Sequence, residues 1–355
     1  MKSISNNSSF NLICPRCFSK DLYRFGKDKD GYQKFQCKSC KRQWTPTKPI
    51  KPAKPRSTYR KYPPCPRCGK ATFLHHDYKL YSNFRCGDKQ CYHGFNVPKL
   101  VEIPPASSDQ INLEEFTMKR MRHPFHLVFT ALTLYFFDHS TLRKISQHLW
   151  FVHNIKISHV TIYKWCKRFA PAILQAVRPY KKQLNLADSD EWHFDETYIK
   201  INGKNYYVWF ALDFETRVIL DFHISEFRDS TAAHTLLHSC KEQFGKPREA
   251  IIMDRYYAYL QPARRFFPDV DFVQVESFED LINNNPIEAF NGQFKAWYKP
   301  KKGFKSFESA NILIALFVCF YNFIKPHSSL NNLTPALVAG AKYSEKARQK
   351  FLLIT

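Results

Sequence analysis

Two apolar runs in this chain each carry a carboxylate where a buried strand should not tolerate one. Trp192-His-Phe-Asp195-Glu-Thr-Tyr-Ile-Lys-Ile201 is broken by Asp195, and Ala250-Ile-Ile-Met-Asp254 ends in Asp254. An uncompensated charge in such a place is costly, so acids kept there are usually paired or bound to metal. A third acid, Glu288, lies in the stretch 283–299. Pro286 there suits the first turn of a helix, and Ile287, Phe290, Phe294 and Trp297 recur on one face. Glu288, Asn291 and Lys295 lie beside that stripe. Glu288 and Lys295 are about 10 Å apart along the axis, too far for a tight ion pair. The spacing suits a metal-binding carboxylate and a cation that grips the next phosphate of a nucleic acid strand. Three acids on two strands and a helix make an oxygen-rich site for Mg²⁺.

The elements around these acids have a definite order. Residues 191–201, the turn Asn202-Gly203, residues 206–212, a turn at 214–216 and residues 218–224 read as a three-stranded antiparallel meander. Ser230 or Thr231 opens a helix to Phe244, ended by Gly245. Residues 250–253 and 272–275 are short all-apolar strands of the kind parallel sheets require. Meander, helix, parallel strand ending in Asp, second strand and helix is the order of an α/β RNase H-like domain. We place it at residues 186–335, with a tail at 336–355.

The first third of the chain has a different character. It is basic: residues 1–105 hold 22 Lys+Arg against 6 Asp+Glu, most of the formal net charge of +23. A charge of that size points to a polyanionic partner, most simply nucleic acid. The same third holds eight of the eleven cysteines. Cys14-Pro-Arg-Cys17 and Cys37-Lys-Ser-Cys40 are two knuckles separated by 19 residues, a structural zinc spacing. A small hairpin with its turn at Asp30-Gly31 fits between them. A second quartet is Cys65, Cys68, Cys86 and Cys91, with His93 as an alternative to Cys91. His75 and His76 read as a polar loop. Zinc ribbons are therefore expected at 1–48 and 64–98, with one structural Zn²⁺ each and a basic linker at 49–63.

Residues 111–183 turn helical. Pro124 opens one helix, and Ser140 or Thr141 caps the next. Ser158 caps a third, with Ile162, Trp165, Cys166 and Phe169 on its apolar face. The opposite face carries Val160, Thr161, Lys164, Lys167 and Arg168, as a helix-turn-helix recognition helix would. An ordinary bundle helix with solvated lysines has the same pattern. The longest apolar run, residues 312–321, is too short to span a bilayer. With no signal-peptide pattern, a cytoplasmic, nucleoid-associated protein with no membrane partner is expected.

In this order and spacing the chain resembles the DDE transposases of insertion sequences, most closely the IS-six type. The resemblance rests on Leu142-Arg-Lys-Ile with Ser158-His-Val-Thr-Ile-Tyr-Lys-Trp, Asp195-Glu-Thr-Tyr, Tyr207-Val-Trp, Asp254, Asn284 to Glu288 with Lys295, Gly303-Phe-Lys-Ser-Phe and Tyr321-Asn-Phe-Ile-Lys-Pro-His. It runs from about Leu142 to Ala336. It implies that Asp195, Asp254 and Glu288 are the catalytic triad and the Mg²⁺ (or Mn²⁺) ligands, and that the ribbons resemble those some transposases carry in front. Where the family commonly has a His-Arg pair after the Glu, Phe290 and Asn291 stand here.

Two metal ions about 3.5–4 Å apart would let one site hydrolyse an element end and join its 3′-hydroxyl to target DNA, without a covalent protein nucleophile. No Walker-type loop is present, so ATP is not expected. Double-stranded DNA is the expected partner, and synapsis of two ends requires a homodimer or a higher oligomer. Lys295, Ser158, Thr161, Lys164, Lys167 and Arg168 are the expected DNA contacts. Glu196, Asp213 and Asp221 are rival acids: Glu196 faces the other side of its strand, and the other two serve turns or exposed edges. Two other readings are a zinc and helix-turn-helix regulator whose RNase H-like domain no longer cuts, and a cellular nuclease such as a resolvase that selects DNA by shape.

Overall fold

The computed structural model describes residues 12–46, 62–111, 121–254, 256–275 and 285–344. Most of the basic linker, Asn283, Asn284 and the end of the tail lie outside these residues. The chain divides into two compact units, residues 1–73 with 85–93 and residues 74–84 with 94–355.

In the first unit β1 (Leu22–Lys27), β2 (Gln33–Cys37) and β3 (Gln43–Trp44) form an antiparallel sheet in that order. The expected hairpin turn forms around Asp28, whose Oδ1 accepts the N–H groups of Asp30 and Tyr32 at 3.0 Å. Gly31 adopts φ +86°, open to glycine at no steric cost. The next strands are β4 (Thr72–Asp77), β5 (Tyr81–Cys86) and β6 (Gly94–Pro98). His75 and His76 belong to β4 and not to a loop.

In the second unit the helices α1 (Phe125–Phe136), α2 (Leu142–His153) and α3 (His159–Lys181) precede the sheet. Thr141 caps α2 by accepting the N–H of Lys144, and Ser158 caps α3 by accepting that of Thr161. α3 does not stop at Phe169. It continues through Pro171, because Pro171, Ala172, Ile173 and Val177 are buried; that apolar burial outweighs the hydrogen bond a proline removes.

The sheet contains β7 (Glu191–Ile201), β8 (Lys204–Asp213), β9 (Ile219–Ser225), β10 (Ala250–Asp254) and β11 (Asp271–Val275). Its strand order is β9-β8-β7-β10-β11, with β7, β8 and β9 antiparallel and β10 parallel to both β7 and β11. This is the order of an RNase H-like sheet. α4 (Ser230–Phe244) joins β9 to β10, and α5 (Leu260–Phe266), not foreseen from the sequence, joins β10 to β11. The cap of α4 is Asp229, whose Oδ1 accepts from Thr231 and Ala232, not Ser230 or Thr231. After β11 come α6 (Asn285–Tyr298), α7 (Phe307–Cys319) and the short α8 (Pro335–Val338).

Helices cover both faces of the sheet. Trp192, Phe194 and Trp209 pack with α4 and α5, through residues such as Leu236 and Tyr259. Ile199, Val208 and Phe210 pack with α6 and α7 and with α1 to α3, through residues such as Phe290, Phe317 and Phe169. The three upstream helices thus share a core with the sheet, although the sequence places a boundary near residue 183. Residues 307–324 form an apolar stretch long enough to cross a membrane, but 78% of it is buried inside this core.

Candidate active site

β7 lies at the centre of the sheet, and its alternation sorts its acids. Phe194 and Trp192 face α4 and α5, so Asp195 faces the α6 side, with Ile199 and Ile201. The parallel register pairs Met253 with Phe194, which brings Asp254 level with Asp195 on the neighbouring strand and on the same face. Asp254 is exposed at the end of its strand.

α6 completes the arrangement. Ile287, Phe290, Phe294 and Trp297 are buried, as their spacing predicts. Phe290 and Phe294 both stand edge-on to Phe210 of β8, with ring centroids 4.8 and 5.1 Å away. That packing fixes the rotation of the helix and leaves Glu288 exposed in its first turn. One turn later Asn291, 3% exposed, donates from Nδ2 to Asp195 Oδ2 at 2.7 Å. The sequence placed Asn291 on the polar flank without giving it a task. Its signal was the i, i+3 spacing from Glu288. The three carboxylates do not close on one another: among the described residues, only the cysteine quartets gather three or more metal-ligating atoms within 4.8 Å.

The electrostatics mark Asp195. Burial, and then the charge of Glu196, pushes its carboxyl up to about 7; Asp254 adds to the rise, against the Glu196 N–H and the Asn291 amide. The Asn291 Oδ1 is itself buried without a partner among the described residues. A raised acid, a second acid beside it and an orphaned amide oxygen form an all-oxygen donor set that suits a hard divalent cation. Lys295 is half-buried further along α6.

The rival acids have other tasks. Glu196 points to the opposite face, where it pairs with Arg228 and accepts from Tyr259 Oη at 2.6 Å. Asp213 is fully buried and binds the Ser189 and Thr216 hydroxyls at the β8–β9 turn. Asp221 is not on an exposed edge. It is 3% exposed and accepts from Ser239 and from Gln243.

Both cysteine quartets assemble. Cys14 and Cys40 sulfurs are 3.5 Å apart, as are Cys17 and Cys37. In the second quartet Cys68 and Cys86 are 3.4 Å apart, and Cys65 and Cys91 3.9 Å. Cys91, and not His93, completes it. The Cys40 backbone N–H draws the Cys37 thiol down to about 6, toward the thiolate that binds metal.

On α3, Val160 and Lys164 are exposed. The Thr161 hydroxyl lies 3.0 Å from that of Ser158 in the helix cap. Lys167 pairs with Glu308 of α7 at 3.7 Å, and with Arg168 it lines a cleft against that helix. The face expected to read DNA thus runs from the exposed Val160 to a cleft lined by Lys164, Lys167 and Arg168.

Residues 189–327 match the family model of a DDE domain, and residues 8–41 that of an InsA N-terminal domain. Two similar proteins of Staphylococcus aureus are the transposase for insertion sequence-like element IS431mec and that for insertion sequence element IS257 in transposon Tn4003. Each is 34% identical over 98 residues, 28% of this chain and 42% of the relative. The InsA protein of insertion element iso-IS1N from Shigella dysenteriae is 43% identical over 35 residues, 10% of this chain and 39% of that protein. The chain thus spans less than half the length of these relatives. Among solved structures, the HTLV-2 integrase catalytic core domain in complex with magnesium is 14% identical, with a TM-score of 0.32 over 42% of this chain and 95% of that one. A simian T-cell lymphotropic virus intasome chain is 13% identical, with a TM-score of 0.35 over 60% of this chain and 75% of its own length. Those scores are too low to place any residue of the site. The strand order, the register that sets Asp254 level with Asp195 and the matched span agree: residues 189–327 of this chain resemble a DDE domain, and residues 8–41 resemble an InsA N-terminal zinc-ribbon domain.

Proposed function

We propose that this protein is a transposase that binds the ends of an insertion sequence, cleaves there and joins the freed end to target DNA. The observation that carries the reading is the register that sets Asp254 beside Asp195, with Asn291 tying the Glu288 helix to the same carboxylate. Asp195, Asp254 and Glu288 would hold Mg²⁺ or Mn²⁺. When bound, such a metal neutralises charge on the reacting phosphate and makes an attacking oxygen more nucleophilic.

The residues themselves supply position. Asn291 holds one Asp195 oxygen and the Glu196 N–H holds the other at 2.8 Å, so the carboxylate plane is set before DNA arrives. Lys295 lies two turns beyond Glu288 and grips a neighbouring phosphate. In cleavage, water oxygen attacks phosphorus and the bond to O3′ breaks. In joining, that 3′-hydroxyl attacks a target phosphorus and displaces another O3′. Neither step needs a protein nucleophile. The test is Mg²⁺-dependent nicking and joining of a labelled element end by purified protein. Tight binding without either reaction would favour the regulator.

We assign one structural Zn²⁺ to each quartet. Elemental analysis should find two per chain, and Cys14→Ser or Cys65→Ser should each lower the count to one. Folded protein with no zinc would overturn the assignment. For α3, Lys164→Gln should weaken the preference for one end sequence over another more than it weakens binding to arbitrary DNA. An equal loss on every sequence in a gel-shift series would remove the recognition-helix reading. Assembly of two or more protomers on paired ends belongs to the same proposal.

A further inference from the structure

A groove on the second unit is cationic and holds no acid. It has a volume of about 580 Å³, and its wall includes Arg143 and Thr141 of α2, His159 of α3, and Lys301 and Lys305 of the connection between α6 and α7. No Asp or Glu lines it. The N-terminal turns of α2 and α3 both contribute to the wall, so two positive helix ends add to the side-chain charge.

Two details mark the groove as built to receive an anion. Lys301 Nζ sits 3.5 Å from the ring centroid of Trp297 and 4.6 Å from that of Tyr135. It donates to the Trp297 carbonyl, and no carboxylate in the wall stabilises its charged form, as a bound anion would. Burial pulls this ammonium down to about 6, with Cys166 of α3 opposing the fall. Trp297, 1% exposed, lines the same groove, and its Nε1–H has no acceptor among the described residues.

The connection carrying both lysines is also held in place. Phe304 N–H donates to the Lys200 carbonyl at 2.7 Å, and Asn202 N–H donates to that of Phe304 at 2.8 Å. Gly303 has φ +127°, and a Cβ there would lie 3.0 Å from the Lys200 oxygen, so only glycine allows this approach. A preformed cationic wall loses little freedom when its ligand binds.

We propose that this groove holds the phosphodiester backbone of duplex DNA, continuing the contact that begins on the exposed Val160 and Lys164 of α3. The proposal rests on the reading of the protein as a DNA-end-binding transposase, and it adds Arg143 and Lys305 to the residues that touch DNA. A duplex is favoured over a small anion because the groove is larger than one phosphate and opens beside the N-terminal turn of α3. It is favoured over an acidic peptide because two helix ends, Arg143 and Lys305 present separate positive points, as successive phosphates require.

The test is fluorescence anisotropy of a labelled duplex across a salt series, with the full-length protein. Arg143 and Lys305 are exposed, so Arg143→Gln/Lys305→Gln should fold normally, as circular dichroism would check. Its affinity should fall about tenfold near 0.1 M salt, and its salt slope should flatten by roughly two phosphate contacts. Lys246→Gln/Arg248→Gln, removing the same charge from the α4–β10 connection, should cost less than half as much. Equal affinity and slope for wild type and the groove variant would overturn this inference and leave the proposed function standing. Equal losses in the two double variants would also overturn it, reducing the effect to net charge. Failure of the wild-type protein to bind any duplex would overturn both.

Discussion

Asp254→Asn should reduce both end cleavage and end joining by at least about a thousandfold, while leaving folding and DNA-end binding intact. Asp254 is exposed at a strand end, so the amide fits without repacking. What it removes is the charge that would hold a divalent ion beside Asp195. Asp195→Asn and Glu288→Gln should behave alike, and pairing any two should add little, because the three act as a unit. Asp213→Asn or Asp221→Asn should instead lower stability, since both acids hold buried hydroxyls, with little direct effect on the chemical step. Nicking and joining of a labelled end, read with matched melting curves, separates the two groups. Near-normal joining by Asp254→Asn would remove the triad.

Asp195 adds a sign that can be checked without any reaction. Its folded carboxyl lies near 7, above its ordinary 3.8. A raised carboxyl contributes its share of stability at low pH and loses it as pH rises through that window. In chelator-treated protein, Asp195→Asn should therefore melt above wild type at pH 8, and the gap should close by about pH 4. Added Mg²⁺ should raise the melting temperature of wild type and not of the variant.

Arg228→Ala is expected to produce the largest loss of stability among single changes near the site. Glu196 is 4% exposed and Arg228 37%, so the substitution leaves a nearly buried carboxylate with, among the described residues, only the Tyr259 hydroxyl. Stranding one member of a buried pair costs roughly 3–5 kcal/mol; the half-exposed guanidinium and water reaching it lower this to about 2–3 kcal/mol. The guanidinium also lies 3.9 Å from the Tyr256 ring centroid, so some packing goes with the charge. Adding Glu196→Gln should restore most of the loss, because the stranded charge is gone. Thermal melts of the single and double variants test this; no recovery in the double variant would show that packing, and not charge, was lost.

Much of the site was legible in the sequence because its logic is local. A carboxylate breaking a strand pattern, an apolar stripe at helical spacing and paired cysteines each depend on residues a few positions apart. They single out Asp195, Asp254, Glu288 and both quartets as candidates without reference to the rest of the chain. The long-range partners could not be found that way. Asn291 looked like one more polar residue on a helix flank, and its task depends on the rotation of α6 against β8, set by Phe290 and Phe294 on Phe210. Asp221 looked like an edge acid because nothing near it in sequence announces Ser239 and Gln243.

The sequence alone determined most strand and helix types, though not α5 or the strand at His75 and His76, together with the element that carries each acid and the composition of the cysteine quartets, since side-chain alternation, helical period and cysteine spacing are properties of neighbouring residues. Tertiary structure decided which acids share a face, which of them are neutralised by partners, and that α3 runs on past Phe169 into the same core as α6 and α7. Those outcomes depend on burial and on contacts between residues about a hundred positions apart, as between Asp195 and Asn291, and no local pattern encodes them.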